Sequence, residues 1–199
     1  GRPWPVPGGS RAGGESGVSL VGDRFALTVE AGGLRLVDLA RAREVMVKRA
    51  LVDVTQGTPA ASRPLLLPMN LSVGEDDADA VEARGGMLAR LGFEVRRTAP
   101  GALAIHAVPA ALGHVPAAVL GRELVEWRQT DDAQTFCDAL ARLASEYLED
   151  LMDSEEAKRS FVGSLPRHAE ALDRARAWIR LDAADIEALL RGRSSGDRR

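Results

Sequence analysis

At 199 residues, with a formal net charge of −3 and one cysteine, the chain has room for one ordinary domain or two small subdomains sharing a core, and its apolar content lets it fold without staples. Cys137 alone cannot close an internal disulfide, no run approaches the roughly 20 apolar residues that span a bilayer, and no basic-then-apolar signal opens the chain, which points to a soluble, cytoplasmic protein. Lys and Arg are spread along the sequence except for Arg191, Arg193, Arg198 and Arg199 near its end, a balance that argues against strong autonomous DNA binding, because that affinity comes from clustered cations neutralising phosphates.

Residues 1–17 (GRPWPVPGGSRAGGESG) are rich in Pro, Gly and Ser without an apolar period, so they bury too little to offset the entropy of ordering and are expected to form a linker. A chain that opens on linker and lacks an initiator Met is expected to be a fragment of something longer. From Arg24 to Asp38, Phe25, Leu27 and Val29 and then Leu34 and Leu36 alternate with polar or small residues around Ala31-Gly32-Gly33, which predicts a β-hairpin. Leu39, Ala42, Met46 and Ala50 then recur at helical spacing, with Asp38 placed to cap the first turn.

Asp53 to Ser62 is turn-rich and leads into a predicted strand, Arg63 to Val73, whose Pro68 marks an edge or a strand beginning. Ala78, Val81, Gly85, Leu88 and Leu91 predict a helix that starts on Glu75-Asp76-Asp77 and stops at Gly92, with Gly85-Gly86 lowering its propensity. Two short strands follow, Phe93 to Thr98 and Ala102 to Val108, joined by the turn Ala99-Pro100-Gly101. Strand, helix, strand, strand is the ferredoxin-like order.

Helices dominate the remainder: Val119 to Trp127, a long one with Phe136, Leu140, Leu143, Tyr147 and Leu151 as its apolar stripe and Asp131 or Asp132 as its cap, and further patterns from Pro166 to Trp178 and from Asp182 to Leu190. Asp182 should cap the last, with Ile186, Leu189 and Leu190 on its apolar side, and Trp178 to Leu181 can add a strand. A stripe of this kind is usually buried in its own chain, although two such faces can meet across a symmetric dimer. His106, His114 and His168 have no ligand partners at metal spacing, and Cys137 falls in a helical pattern where a buried small residue is expected.

The strand-to-helix junction Gly33 to Arg49, with the strands before it, resembles the start of the C-terminal domain of the MutL family of DNA mismatch-repair proteins. Nuclease members carry an Asp-Gln-His-Ala run there, followed by glutamates that hold a catalytic metal. This chain keeps Asp38 and Glu44 but has Leu39, Ala40 and Arg49 in place of the Gln, the His and the later Glu, so an imidazole is lost and a cation stands where a carboxylate should be. The family's Cys-Pro-x-Gly-Arg-Pro motif is absent, and Arg180-Leu181-Asp182-Ala183 occupies its region. The segment Ala104 to Leu112, a strand ending in Val-Pro before a helix, adds to the likeness. The resemblance implies the subgroup without nuclease activity: no metal, no cofactor and no catalysis in this domain, with any ATPase in an N-terminal domain outside this sequence.

By the same resemblance, Arg63-Pro64-Leu65-Leu66-Leu67-Pro68 occupies the place of a Gln-x-aliphatic-Leu-x-Pro segment that docks into the replication sliding clamp. Arg63 can only donate where glutamine both donates and accepts. The implied fold is α+β: a dimerisation subdomain of 18–60 plus 128–199 and an inserted regulatory subdomain of 64–127. The implied role is homodimerisation that couples mismatch recognition by MutS to a strand-nicking endonuclease and a helicase, with DNA contact weak or indirect and no membrane partner. Phe136, Leu140, Leu143 and Ile179 are the interface candidates, and a charge at Leu140 is expected to break the dimer. Neither a nucleophile elbow, nor a P-loop, nor a Cys-x-x-Cys pair is present. The rival is a small-molecule-sensing or partner-binding domain built on the ferredoxin-like insert.

Overall fold

The computed structural model of the chain describes residues 17–57, 59–127 and 132–194. The expected linker, Gly17 apart, and the last five residues lie outside them, as does Asp131. The fold is α+β, built on two antiparallel sheets. The first comprises β1 (Val18–Val21), β2 (Phe25–Glu30), β3 (Gly33–Asp38) and the late strand β7 (Trp178–Asp182), in that spatial order. Its hairpin turns at Gly32, whose φ of +88° a side chain would strain, and Gly33 is required next to it because a Cβ there would strike the Leu181 carbonyl of β7.

Helix α1 (Leu39–Gln56) starts directly on β3, with the Asp38 carboxylate accepting from the Arg41 amide at 3.1 Å. It runs through Asp53 to Gln56, further than the turn-rich composition suggested. In the second sheet, β4 (Ser62–Ser72), β5 (Glu94–Ala99) and β6 (Ala102–Pro109) are ordered β4-β6-β5, so β6 slots between the strand that precedes the helices α2 (Glu75–Ala83) and α3 (Gly85–Arg90) and the strand that follows them. The single helix expected there is broken at Arg84, where Gly85-Gly86 starts a new turn.

A short 3-10 turn at Ala110–Leu112 leads to α4 (Ala117–Glu126), and then come α5 (Ala133–Glu146), α6 (Leu148–Leu151), α7 (Glu155–Ser164), α8 (Ala169–Arg174) and α9 (Ala183–Ser194). Asp132 caps α5 through the Gln134 and Thr135 amides, and Asp182 accepts from the Asp185 amide at 2.8 Å at the start of α9. The stripe expected to continue from Phe136 to Leu151 breaks at Tyr147, which leaves helical geometry at φ −98°, ψ 27°. The pattern from Pro166 yields a 3-10 turn and the six-residue α8. Strand β1 and helix α7 were not anticipated. The signal for α7 was present: Ser154 accepts from the Ala157 amide at 3.2 Å, with Glu155 and Glu156 in the first turn.

Two apolar cores share α1. Leu39 and Ala42, in its first turns, join Ala26, Val37, Leu172 and Trp178 beneath the first sheet. Val47, Leu51 and Val54, further along, join Phe93, Leu103, Ile105, Leu120, Phe136 and Leu140 beneath the second. Trp127 stacks on Phe136 with ring centroids 4.2 Å apart, which secures α5 against α4. Cys137 is 0 % exposed, as its helical position suggested, and burial pushes its thiol up to about 11.

Candidate functional site: an exposed apolar sheet face

Strand registers define the two faces of the first sheet. On the inward face the row Leu20, Ala26, Val37, Trp178 crosses all four strands. Arg35 lies beside it, stacked over the Trp178 ring at 4.0 Å and paired with Glu30 at 2.7 Å, and Glu30 also pairs with Arg180 at 2.9 Å. The polar half of the strand alternation is thus satisfied on the inward side. The outward row Ser19, Leu27, Leu36, Ile179 is flanked by Val29, Leu34, Leu181 and by Val21, Phe25.

Among the described residues nothing covers that outward face: Val29 is 63 % exposed, and Val21, Phe25 and Ile179 are also exposed. Beyond β7, α9 adds Leu189 and Leu190, both exposed, and a half-buried Ile186. A sheet face that sets several exposed apolar side chains side by side marks an interaction site in a folded chain. An antiparallel sheet normally turns its apolar residues to the core and its polar ones to water; here one sheet is apolar on both sides.

The sequence-derived interface residues divide. Phe136, Leu140 and Leu143 are 1 %, 0 % and 7 % exposed within the chain's own core, so the α5 stripe presents nothing to a partner, and a charge at Leu140 would unfold the chain instead of only separating copies. Ile179 does lie on the open face. Its neighbours Leu27, Leu34 and Leu36 were visible as a strand alternation, but the alternation does not say which side is covered.

At the rim of this face, the Asp38 carboxylate is fully engaged. Oδ1 takes the Arg41 amide, and Oδ2 takes Arg24 Nη2 at 2.7 Å and Nε at 3.1 Å. Burial alone would raise this carboxyl's pKa, but the Arg24 hydrogen bond, the Arg41 amide and the Arg24 charge bring it below its ordinary value. Arg24 also lies 5.5 Å over the Phe25 ring. Glu44 is half-buried on α1, and Arg49 pairs with Asp53 at 3.9 Å. Among the described residues no three His, Cys, Asp or Glu side chains gather where they could hold a metal. His114, half-buried, places Nε2 3.1 Å from the Ala144 carbonyl, and burial lowers its pKa.

On β4 the pairing with β6 breaks between Pro64 and Met69. Leu65 still packs on the core, whereas Leu66 and Leu67 are flung out at 103 % and 82 % exposure. Arg63 is turned away from them, donating Nη1 to the Gly113 carbonyl. A cleft of about 430 Å³ lies between β5 and the helices α2 and α3. Its most buried cation, Arg97, is already bound to Asp79 and Glu82.

A helix-backed sheet whose outward apolar row is left uncovered among the described residues has the form of an assembly module. Residues 18–159 match the family described as MutL C terminal dimerisation domain, and the chain belongs to that family. It is 31 % identical over 182 residues to the DNA mismatch repair protein MutL of Xanthomonas oryzae pv. oryzae (strain PXO99A), covering 85 % of this chain and 29 % of that protein. The MutL of Chelativorans sp. (strain BNC1) is 30 % identical over 179 residues, with 85 % and 29 % covered, and that of Xylella fastidiosa (strain M23) is 37 % identical over 101 residues, with 51 % and 16 % covered. The chain spans under a third of the length of these relatives. Among the described residues no helix is long and apolar enough to cross a membrane.

Proposed function

We propose that two copies of this chain join face to face through the outward side of the first sheet, with α9 at the margin, and so hold two parent chains together. The observation that carries the reading is the outward row of half-buried Leu27 and Leu36 and exposed Ile179, flanked by exposed Val29 and half-buried Leu34 and Leu181, over which no other described element lies. A two-fold axis through one self-complementary patch closes the assembly at two, and interfaces of about 800 Å² per partner suffice for stable association. Organisation into 18–60 plus 128–199 for assembly and 64–127 as an insert accords with the first sheet drawing only on the former segments and the second sheet on the latter and Ser62–Arg63.

Assembly, not catalysis, is then this domain's contribution. Asp38 serves as a helix cap held by an arginine, an arrangement suited to structure and not to a divalent ion. In the parent protein, joining two chains at this end raises the effective concentration of their N-terminal ATPase domains to roughly millimolar for suitable linkers. A weak ATP-driven contact around DNA becomes efficient, and the dimer relays recognition by MutS to a nicking endonuclease and a helicase. Leu66 and Leu67, thrown clear of β4, support a second contact in which they plug an apolar pocket of the sliding clamp.

Light scattering coupled to size exclusion across a concentration series tests the assembly. The expected result is a persistent species of twice the chain mass, reduced to a monomer with unchanged far-UV circular dichroism in Leu36→Asp. A strict monomer at high concentration, or a dimer untouched by Leu36→Asp, overturns the reading.

A further inference from the structure

We propose that the second sheet accepts an extended basic peptide as a fourth strand, laid along the free edge of β5 in the cleft that α2 and α3 form with it. The inference stands apart from the assembly reading, because this edge belongs to the other sheet. In the order β4-β6-β5 the strand β5 is terminal, and among the described residues no strand pairs with its outer side. Such an edge leaves a row of backbone N–H and C=O groups for a partner. What matches them is another extended main chain, whose own groups recur at the same rise of about 3.3 Å per residue.

The cleft of about 430 Å³ follows that edge. Glu94, Val95, Arg96 and Arg97 border it in succession, although alternate side chains of a strand point to opposite faces, so the cleft runs along the backbone and not over one face of the sheet. Val81, Gly85 and Ala89 stand opposite, and Leu88, Phe93 and Leu103 supply an apolar floor. A Cβ at Gly85 would meet nothing within 4 Å, so the helix wall is bare where an incoming strand needs width. Register shifts between Glu94 and Val95 and between Arg97 and Ala99 limit the regular edge to Val95–Arg97. Irregularities and charges of this kind keep an edge from pairing indiscriminately, which leaves the flanking wall to select what joins.

Charge gives the peptide its basic character. Arg97 is shared by three carboxylates of α2: Glu82 at 3.2 Å, Asp79, and Glu75 at 3.9 Å. All three are exposed, and Asp76 adds a further acid to the same helix. On the strand side Glu94 and Arg96 neutralise one another at 2.6 Å. The helix wall thus keeps a negative surplus that one guanidinium does not cancel, and a lysine or arginine of the incoming strand offsets it.

The test is fluorescence anisotropy of a fluorescein-labelled, end-capped peptide of about eight residues alternating valine and lysine, titrated with the whole chain. The unchanged chain should bind it, less tightly as salt rises. The same peptide with every backbone amide N-methylated, or with glutamate for lysine, should bind at least about tenfold more weakly. Gly85→Leu, which fills the cleft from its bare wall, should also bind at least about tenfold more weakly. Gly86→Leu, equally clear of neighbours but not bordering the cleft, should bind as the unchanged chain does. Asp79→Asn/Glu82→Gln should lose about fivefold at low salt and show a flatter salt dependence. Light scattering keeps this reading apart from the assembly: Gly85→Leu should have the mass of the unchanged chain, and Leu36→Asp should bind the peptide undiminished. No binding up to about 1 mM, equal binding of the N-methylated or glutamate peptide, unchanged binding by Gly85→Leu, or equal loss in Gly86→Leu overturns the proposal. So does a Gly85→Leu chain that falls to a monomer, which would make a second copy the occupant of the cleft.

Discussion

Two apolar stripes in this molecule look alike in sequence and end in opposite places. The α5 stripe of Phe136, Leu140 and Leu143 is consumed by the chain's own core, whereas the strand set of Leu27, Leu36 and Ile179 faces outward. The difference lies in what each element meets. Helix α5 packs along α1, whose Val47 and Leu51 complete the same core, while among the described residues the first sheet is backed by one layer of helices and loops, on its other side. Apolar periodicity states that a face must be buried. It does not state whether the same chain or a second copy does the burying.

Truncation inside α5 should give the largest effect. Leu140→Ala removes a fully buried side chain and should cost about 2–5 kcal/mol of stability, read as a lower urea midpoint with the mass of the residual folded species unchanged. A folded, monomeric Leu140→Ala of undiminished stability would erase the contrast between the stripes. On the sheet, the pattern should reverse. Leu36→Asp lies at the centre of the outward row and should weaken self-association at least about 100-fold, and Ile179→Asp, on the edge strand, about tenfold, following the concentration of binding energy at interface centres. Sedimentation equilibrium gives both constants, and equal effects at centre and edge would displace the axis from Leu36.

Leu66 sharpens the comparison from a third direction, since with Leu67 it is more exposed than the apolar residues of the sheet face yet lies on the other sheet, at the β4 bulge. Leu66→Ser should change neither stability nor the dimer constant beyond about 0.5 kcal/mol, while abolishing any retention of a sliding clamp on the immobilised chain. A Leu66→Ser variant that dissociates would move the interface to the β4 bulge.

Much of the fold was legible, because local chemistry decides it: Gly32-Gly33 for the hairpin, Asp38, Asp132 and Asp182 as caps, and the β5–β6 turn at Pro100-Gly101. Helix breaks at Arg84 and Tyr147 were not, since both lie within continuous apolar periods, although Gly85-Gly86 weakened the helix at the first. The site was half legible. Ile179 was singled out, but its partners Leu27, Leu34 and Leu36 were seen only as a hairpin, because the layering that leaves them uncovered comes from β7 and α7, some 130 residues further along. The bulge that turns Leu66 and Leu67 out while keeping Leu65 in is likewise a register event between strands, invisible in β4 alone.

The smallest effect concerns Asp38, which borders the open face at the end of β3. Its carboxyl is held below its ordinary pKa by the Arg24 hydrogen bond, the Arg41 amide and the Arg24 charge, against the burial that would raise it. A carboxylate whose pKa is lower folded than unfolded stabilises the fold above its unfolded value, about 3.9, and that stabilisation is lost as pH falls through the lower, folded value. Asp38→Asn keeps a good helix cap and removes only the charge, so at pH 7 it should cost about 0.5–1 kcal/mol, discounted because Arg24 is 65 % exposed. Measured at one fixed chain concentration, because dimerisation also stabilises, the difference between Asp38→Asn and the unchanged chain should shrink as pH falls below about 3.9 and vanish below the folded pKa. If Asp38 instead held a divalent cation, chelator would mimic Asp38→Asn at pH 7, whereas a structural carboxylate clamped by Arg24 gives a chain indifferent to chelator and sensitive only to acid.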